Sequence, residues 1–480
     1  MLATLKRFFS VEKLVGQEHR LGPLPGDRKA YDRVINIALP AVAEMVLVSL
    51  ISSADTIMVG NLGKNALAAV SLPTQPRMIM LAIFFALNVG ITAIVARRKG
   101  EDRRTDANAT LRNALLLVGV LSIVIMGVVV AFAEPLMRLA GGNTNTADDA
   151  IVLKDAVSYF TIMAYGLPVT ALSMCINAAM RGVGNTKLTL RVNVISNLVN
   201  IFFNYLLING KLGFPRLEVT GAAIASVIGL ATGFALSLGA VLFDKTSYLH
   251  LSHRDSWRIQ PEAMRGILRV GGNAMVEQLG LRFGFFLYGR IIYSLGVSMY
   301  AAHNICMQLI GLTFNFADGL AVSGTSLVGQ GLGAKRGDLA MLYGKICQRI
   351  ALVFSLLIAS LVAIFRYPLA SIFLNANTPD AAYVIQIAAE TLLIVALIQP
   401  AQMSAVVLAG CLRGAGDNLF VASRMMICVS ILRPLLAALA VYVFKMNLPM
   451  TWLLSLSEIF VRLYFFYTRF ESGKWKEKRV

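Results

Sequence analysis

Long apolar runs alternate with short polar, basic stretches along the whole chain. Twelve runs can be drawn, over 34–59, 66–96, 109–133, 152–180, 192–210, 221–243, 267–295, 300–332, 346–374, 381–412, 420–444 and 449–469. Each is close to, or longer than, the roughly 20 residues a helix needs to cross a bilayer. Within the hydrocarbon layer an unpaired peptide group is costly, so the backbone must satisfy itself in a helix or a closed barrel. Barrel strands alternate apolar and polar residues over about ten positions. These runs are longer and more uniformly apolar. The pattern predicts an all-α integral membrane protein with twelve transmembrane helices.

The pattern also repeats. At an offset of 233, Glu44 matches Glu277, Leu62-Gly63 matches Leu295-Gly296, and Ala68-Ala69 matches Ala301-Ala302. Thr92, Val95 and Gly100 match Thr325, Val328 and Gly333 at the same offset. At 232, the stretch from Arg181 to Asn185 matches the stretch from Arg413 to Asp417. Six helices per half is an even number, so both halves enter the membrane in the same direction. The expected fold is two six-helix lobes related by a pseudo-two-fold axis along the membrane normal, with the substrate cavity between them. The expected divisions are a cytoplasmic segment 1–33, an N-terminal lobe 34–243, a cytoplasmic linker 244–266, a C-terminal lobe 267–469 and a basic tail 470–480.

Composition supports lipid as the main solvent. The chain is 57% hydrophobic and 15% charged, with a mean hydropathy of +0.69, whereas soluble domains carry about 25% charged residues. The net charge of +18 need not mean nucleic acid. Of the 44 Lys and Arg, 32 fall in alternate segments, beginning with the N-terminal one. Cytoplasmic segments of membrane proteins hold such an excess. The bias predicts both termini in the cytoplasm of a multi-pass protein in the cell (inner or plasma) membrane, without a nucleic-acid partner. The five cysteines stand singly in or beside apolar runs and read as packing residues. No metal-ligand spacing, phosphate-loop motif or Ser/His/Asp set is visible. Neither cofactor nor enzymatic activity is expected.

Several stretches resemble the multidrug and toxic compound extrusion (MATE) transporters. They are LPAVAEMVLVSLISSADTIMVGNLG at 39–63, LGVSMYAAHNI at 295–305, LVGQGLG at 327–333, and the paired MRGVGN and LRGAGD. The Asp55-Thr56-x-Met58-x-Gly60 pattern resembles the drug-efflux branch. The lipid-flippase and polysaccharide-exporter branches share the topology. The resemblance implies two lobes around a central cleft and alternating access. It implies export of cationic or amphiphilic small molecules in exchange for H+ or Na+. The chain is read as a monomer in the lipid bilayer.

A carboxylate inside a membrane is costly enough to be a functional candidate by default. Asp55 matches the family's first-helix aspartate, which implies a cation or proton site in the N-terminal lobe. Asn193, Asn197, Asn200 and Asn204 recur at spacings of four, three and four, which puts them on one helix face. That face cannot point at lipid. Asn200 and Asn204 match polar family positions, and Asn177 is a further candidate. The equivalent positions of the second half are Met425, Val429, Leu432 and Leu436, so the stripe belongs to one half. Glu44 and Glu277 are expected near the cleft, where carboxylates attract cationic cargo; the alternative is a shared packing role. Asp318 lies mid-helix beside Gly319, where a bend is possible. Gln402 stands where relatives carry a helix-10 aspartate. Together, Glu44, Glu277, Asp318 and Gln402 form the candidate substrate or second coupling site. His303 is read as a packing residue, and Arg282 as a loose partner for Glu277.

Overall fold

The computed structural model describes residues 9–478 apart from 61, 143, 145, 245, 253–256 and 374–380, with backbone alone at 50–57 and 64. Twelve helical rods follow one another, and no strand occurs among the described residues. They are α1 (Asp27–Gly60), α2 (Lys64–Ser71 continued by Thr74–Gly100), α3 (Arg104–Ala131), α4 (Ala147–Tyr165 continued by Leu167–Gly182), α5 (Thr186–Asn209) and α6 (Glu218–Phe243). The second six are α7 (Pro261–Tyr293), α8 (Val297–Gly333), α9 (Gly337–Ile364), α10 (Ala381–Gly414), α11 (Asn418–Val443) and α12 (Leu448–Leu456 continued by Glu458–Glu471). Among the described residues, eight helices are long and apolar enough to span a membrane alone, and nine when bent α4 counts as one span.

The rods depart from the apolar runs in ways that chemistry explains. Helix α1 starts at Asp27 and α7 at Pro261, before their apolar runs, because polar residues outside the hydrocarbon still close helical hydrogen bonds. Helix α4 bends by 48° at its break. Pro168 stands just past that break and has no N–H to continue the ladder. Helix α8 runs unbroken through Asp318 and Gly319. Gly319 serves close packing instead: a Cβ there would sit 2.6 Å from the Cα of Val42 in α1.

Contacts divide the chain into two units, Ala43–Gly272 and Met1–Val42 with Asn273–Val480. The breaks fall inside α1 and α7, 230 residues apart. In the second unit Val11, Leu14 and Val15 of the N-terminal segment join a core that includes Phe470 and Trp475. Arg336 and the backbone N–H of Leu21 share the buried carboxylate of Asp338.

The repeated residues meet at one kind of helix crossing. In the first unit the Thr92 hydroxyl of α2 donates to the Ala178 carbonyl of α4 at 3.0 Å. In the second, Thr325 of α8 donates to the Gly410 carbonyl of α10 at 2.8 Å. One turn further on, a Cβ on Gly182 would lie 2.7 Å from the Thr92 carbonyl oxygen, and one on Gly414 would crowd that of Thr325 more closely. Both helices then end in the same turn. Gly184 and Gly416 adopt φ of 79° and 88°. The N–H groups of Asn185 and Asp417 return to the carbonyls of Met180 and Leu412. This six-residue closure is the Schellman ending that a left-handed glycine permits.

The crossing predicts a test. Gly414→Ala should lower stability by about 1–3 kcal/mol through overpacking, read as a lower unfolding temperature in detergent. Gly127→Ala in α3, where nothing lies within 4 Å, should be neutral or slightly stabilising. Equal losses in the two would refute the tight contact.

Candidate functional site

The first unit contains a polar ladder along α5. It begins at Glu44 of α1, which is only 3% exposed. The Glu44 carboxylate accepts from Arg181 at 3.1 Å, from the Thr189 hydroxyl at 2.6 Å and from the Asn193 amide at 2.9 Å. The three donors come from the α4 end and the first turns of α5, and the glycine turn between those helices brings them to one carboxylate. Asn197 follows, its amide donating to the Asn193 carbonyl oxygen at 2.7 Å. Asn200 and Asn204 are buried. The Asn200 amide donates to Ser226 of α6 at 3.3 Å, and Asn204 donates to the Asn200 side-chain oxygen at 3.4 Å. Close approach of α5 and α6 rests on Gly229, where a Cβ would lie 2.8 Å from that of Asn200.

Asn177 lies elsewhere on the α4–α6 contact. Its side-chain oxygen accepts from Ser237 at 3.0 Å. Ser237 is eleven residues beyond Ser226, about 16 Å along a helix. Asn200 and Asn204 therefore form a cluster, and Asn177 a separate contact. Asp55 is part of helix α1, but its side chain lies outside the described residues.

In the second unit, Glu277 is 3% exposed and accepts from Arg413. Its partner is the arginine of the repeated motif, not Arg282. The counterparts of Thr189 and Asn193 are Val421 and Met425, so only the arginine pairing is common to both units. A buried carboxylate bound by a guanidinium presents no net negative charge. The pairs join α1 to the α4 end and α7 to the α10 end.

Asp318 is exposed and has no hydrogen-bond or ion-pair partner among the described residues. Gln402 is buried, and its side-chain oxygen accepts from Arg462 at 2.6 Å. That contact leads to Glu458 and Arg433, a buried cluster that lacked any motif in the sequence. His303 packs among the rings of Tyr288, Tyr300 and Trp452.

The sequence reading missed the partners more than the residues. Arg181 and Arg413 were visible in the repeat, and Thr189 continues the asparagine spacing by one turn. A helix-face argument could have included it.

The MatE family model matches residues 40–206 and 274–439 of this chain. A "Probable multidrug resistance protein NorM" of Thermotoga maritima is 28% identical over 452 residues, covering 93% of each chain. A "FAD transporter" of Shewanella oneidensis is 26% identical over 351 residues, covering 71% of this chain and 74% of its own length. A solved structure of a MOP superfamily transporter from Pyrococcus furiosus, described by a reversed polarity of its binding pocket, has a TM-score of 0.84 at 20% identity. It covers 97% of this chain and 98% of that one. That likeness concerns the fold. The family match covers both halves of the helical repeat, and this chain belongs to the MatE family of multi-pass membrane transporters.

Proposed function

We propose that this chain is a secondary active exporter of cationic, amphiphilic small molecules, which works by alternating access in exchange for protons or sodium ions. The observation that carries the reading is the amide ladder of the first unit, from Glu44 to Asn204. Its neutral oxygens and amides can accommodate a cation or a proton relay, and α11 of the other half carries Met425, Val429, Leu432 and Leu436 at the equivalent positions. Asp55, with Asn200 and Asn204, is assigned the coupling site, and Asn177 is assigned a separate polar position between α4 and α6. Among Glu44, Glu277, Asp318 and Gln402, the exposed Asp318 is assigned the attraction for cationic cargo, since the others are already engaged. The two lobes are 34–243 and 267–469, joined by 244–266. The protein acts as a monomer in the cell membrane, with both termini in the cytoplasm as the Lys and Arg bias supports. The multidrug naming of the Thermotoga relative agrees with the cargo class.

The driving force suffices. A potential of 100 mV supplies about 2.3 kcal/mol per charge and a pH unit about 1.4 kcal/mol. One proton thus supports a gradient of up to a few hundredfold for an uncharged cargo and about tenfold for a singly charged cation, for which the potential cancels.

In proteoliposomes, ethidium efflux should follow an imposed proton or sodium gradient and be lost in Asp55→Asn. Unchanged gradient-driven efflux in Asp55→Asn would remove the coupling assignment. No efflux under either gradient from folded protein would favour a flippase of lipid-linked precursors.

The arginine-bound carboxylates behave differently. Glu44→Gln should destabilise by about 1–3 kcal/mol, because it leaves the partly covered Arg181 without its counter-charge. The double variant Glu44→Gln/Arg181→Gln should recover much of that loss. Thermal unfolding of the four proteins in the cycle checks this. Additive losses would mean that the two residues do not act as a pair.

A further inference from the structure

We infer that the cluster of Arg433, Glu458, Arg462 and Gln402 in the second unit binds one negatively charged group, either a halide-sized inorganic anion or the carboxylate of a small organic acid. The inference goes beyond the efflux reading and does not depend on Asp55.

The charge count is the starting point. Arg433, Glu458 and Arg462 are 5%, 0% and 2% exposed. Arg433 directs both its Nε and Nη2 at Glu458 Oε1. Arg462 approaches the other carboxylate oxygen at 3.7 Å without a hydrogen bond. It turns instead to neutral acceptors, Gln402 Oε1 at 2.6 Å and the Met425 sulfur at 3.6 Å. Two guanidiniums share one carboxylate, which leaves one positive charge in a region of low dielectric. The nearby charges do not cancel it. Glu277 is in electrostatic reach of Arg462 but is bound by Arg413. Arg424 lies over the rings of Phe420 and Phe465 and adds to the positive side. Asp318 is exposed on α8.

The cluster also has donors to spare. Gln402 Nε2 and Arg462 Nε are buried without a hydrogen-bond partner, and so is the acceptor Glu458 Oε2, 3.7 Å from that Nε. Buried polar atoms are normally satisfied. Unused donors beside a surplus positive charge suit an anion. A purely structural ion pair would be neutral and saturated.

The backbone is irregular on two of the helices, and a third carries a proline. In α10, Pro400 stands two residues before Gln402. In α11, a π-helical segment Met426–Leu432 leads into Arg433 and Pro434. In α12, the break at Ser457 falls just before Glu458. Gly284 of α7 closes the fourth side, where a Cβ would lie 2.6 Å from the Cα of Ser430. Widened turns occur often at functional sites. Within a membrane, broken helices are tolerated where protein encloses them, and transporters build binding sites from them.

The test is thermal unfolding of the purified full chain in a neutral detergent. Sodium methanesulfonate holds the ionic strength constant while sodium chloride or sodium benzoate replaces it. The wild-type protein should show a saturable rise in unfolding temperature with at least one of the two. A rise with chloride alone identifies an inorganic anion, and one with benzoate alone identifies a cargo carboxylate. Arg462→Gln removes the surplus charge and should weaken the apparent affinity at least tenfold. Glu458→Gln adds a positive charge and should keep or tighten it. A structural role alone would lower the unfolding temperature of both variants and leave no anion dependence to lose. Where Arg462→Gln does not fold, Arg462→Lys keeps the charge and should retain the response. No saturable rise in the wild type with either salt, or the same affinity in folded Arg462→Gln, would overturn the proposal.

Discussion

A charge taken out of water into the interior of a bundle must bring its counter-charge with it. The idealised cost of moving an ammonium- or carboxylate-sized ion into a medium of low dielectric is of order 20 kcal/mol, and several remain after relaxation. Glu44 meets this condition through Arg181, Glu277 through Arg413, Asp417 through Arg469, and Glu458 through Arg433. These pairs do more than neutralise. Three of them join side chains from two different helices, and Asp417 joins a turn to α12, so they fix which elements are neighbours and how far along their axes they must slide. An apolar surface packed against another apolar surface in lipid gives no such register, because the lipid competes on equal terms.

The same economy explains why the repeat is preserved where it is. Thr92 and Gly182, and again Thr325 and Gly414, let two helix backbones approach until a threonine hydroxyl reaches a carbonyl across the contact. A methyl group on either glycine would separate them. The turn that follows needs a left-handed residue, supplied by Gly184 and Gly416, and it aims the preceding arginine back at a carboxylate. Crossing, turn and ion pair form one unit of architecture in each half. The matches at offsets of 232 and 233 are thus spacings demanded by packing, and a duplicated helix set can lose its other polar residues without losing these.

This also marks what could be read from the chain. Most of the helices follow from length and apolarity, which single out eight or nine spans among the described residues, and the two halves follow from the repeat. The polar face of α5 follows from spacing, since Asn193, Asn197, Asn200 and Asn204 can only share one side. Periodicity says which face is polar, but it does not say what the face meets. Glu44 and Arg181 are 137 residues apart, and Glu277 and Arg413 are 136 apart. No local pattern joins them. The 48° bend in α4 and the π-helical turns of α11 leave only a proline as a trace, and a proline in a membrane helix has several outcomes. Pro40 sits in a helix that continues without a break, whereas Pro168 stands at a bend and Pro434 follows a widened turn.

The halves have kept their framework and diverged in chemistry. In the first, α5 is a regular helix whose amides lie on one face and bond to Glu44, to Ser226, to the backbone or, at Asn204, to one another. Regularity suits neutral groups, which find partners on the backbone one turn earlier or on a neighbouring helix. In the second, the corresponding α11 has lost the amides and gained two π-helical segments around Arg433. A guanidinium cannot join a lattice of that kind. It needs a carboxylate at a particular distance, and it stands where α11 has a widened turn and a proline and α12 breaks before Glu458. Neutral groups were thus accommodated by an unmodified helix, while charged groups required the helices to be rebuilt around them. The rebuilt region is where duplication no longer constrains the sequence, and so where the two units differ most in the chemistry they bury.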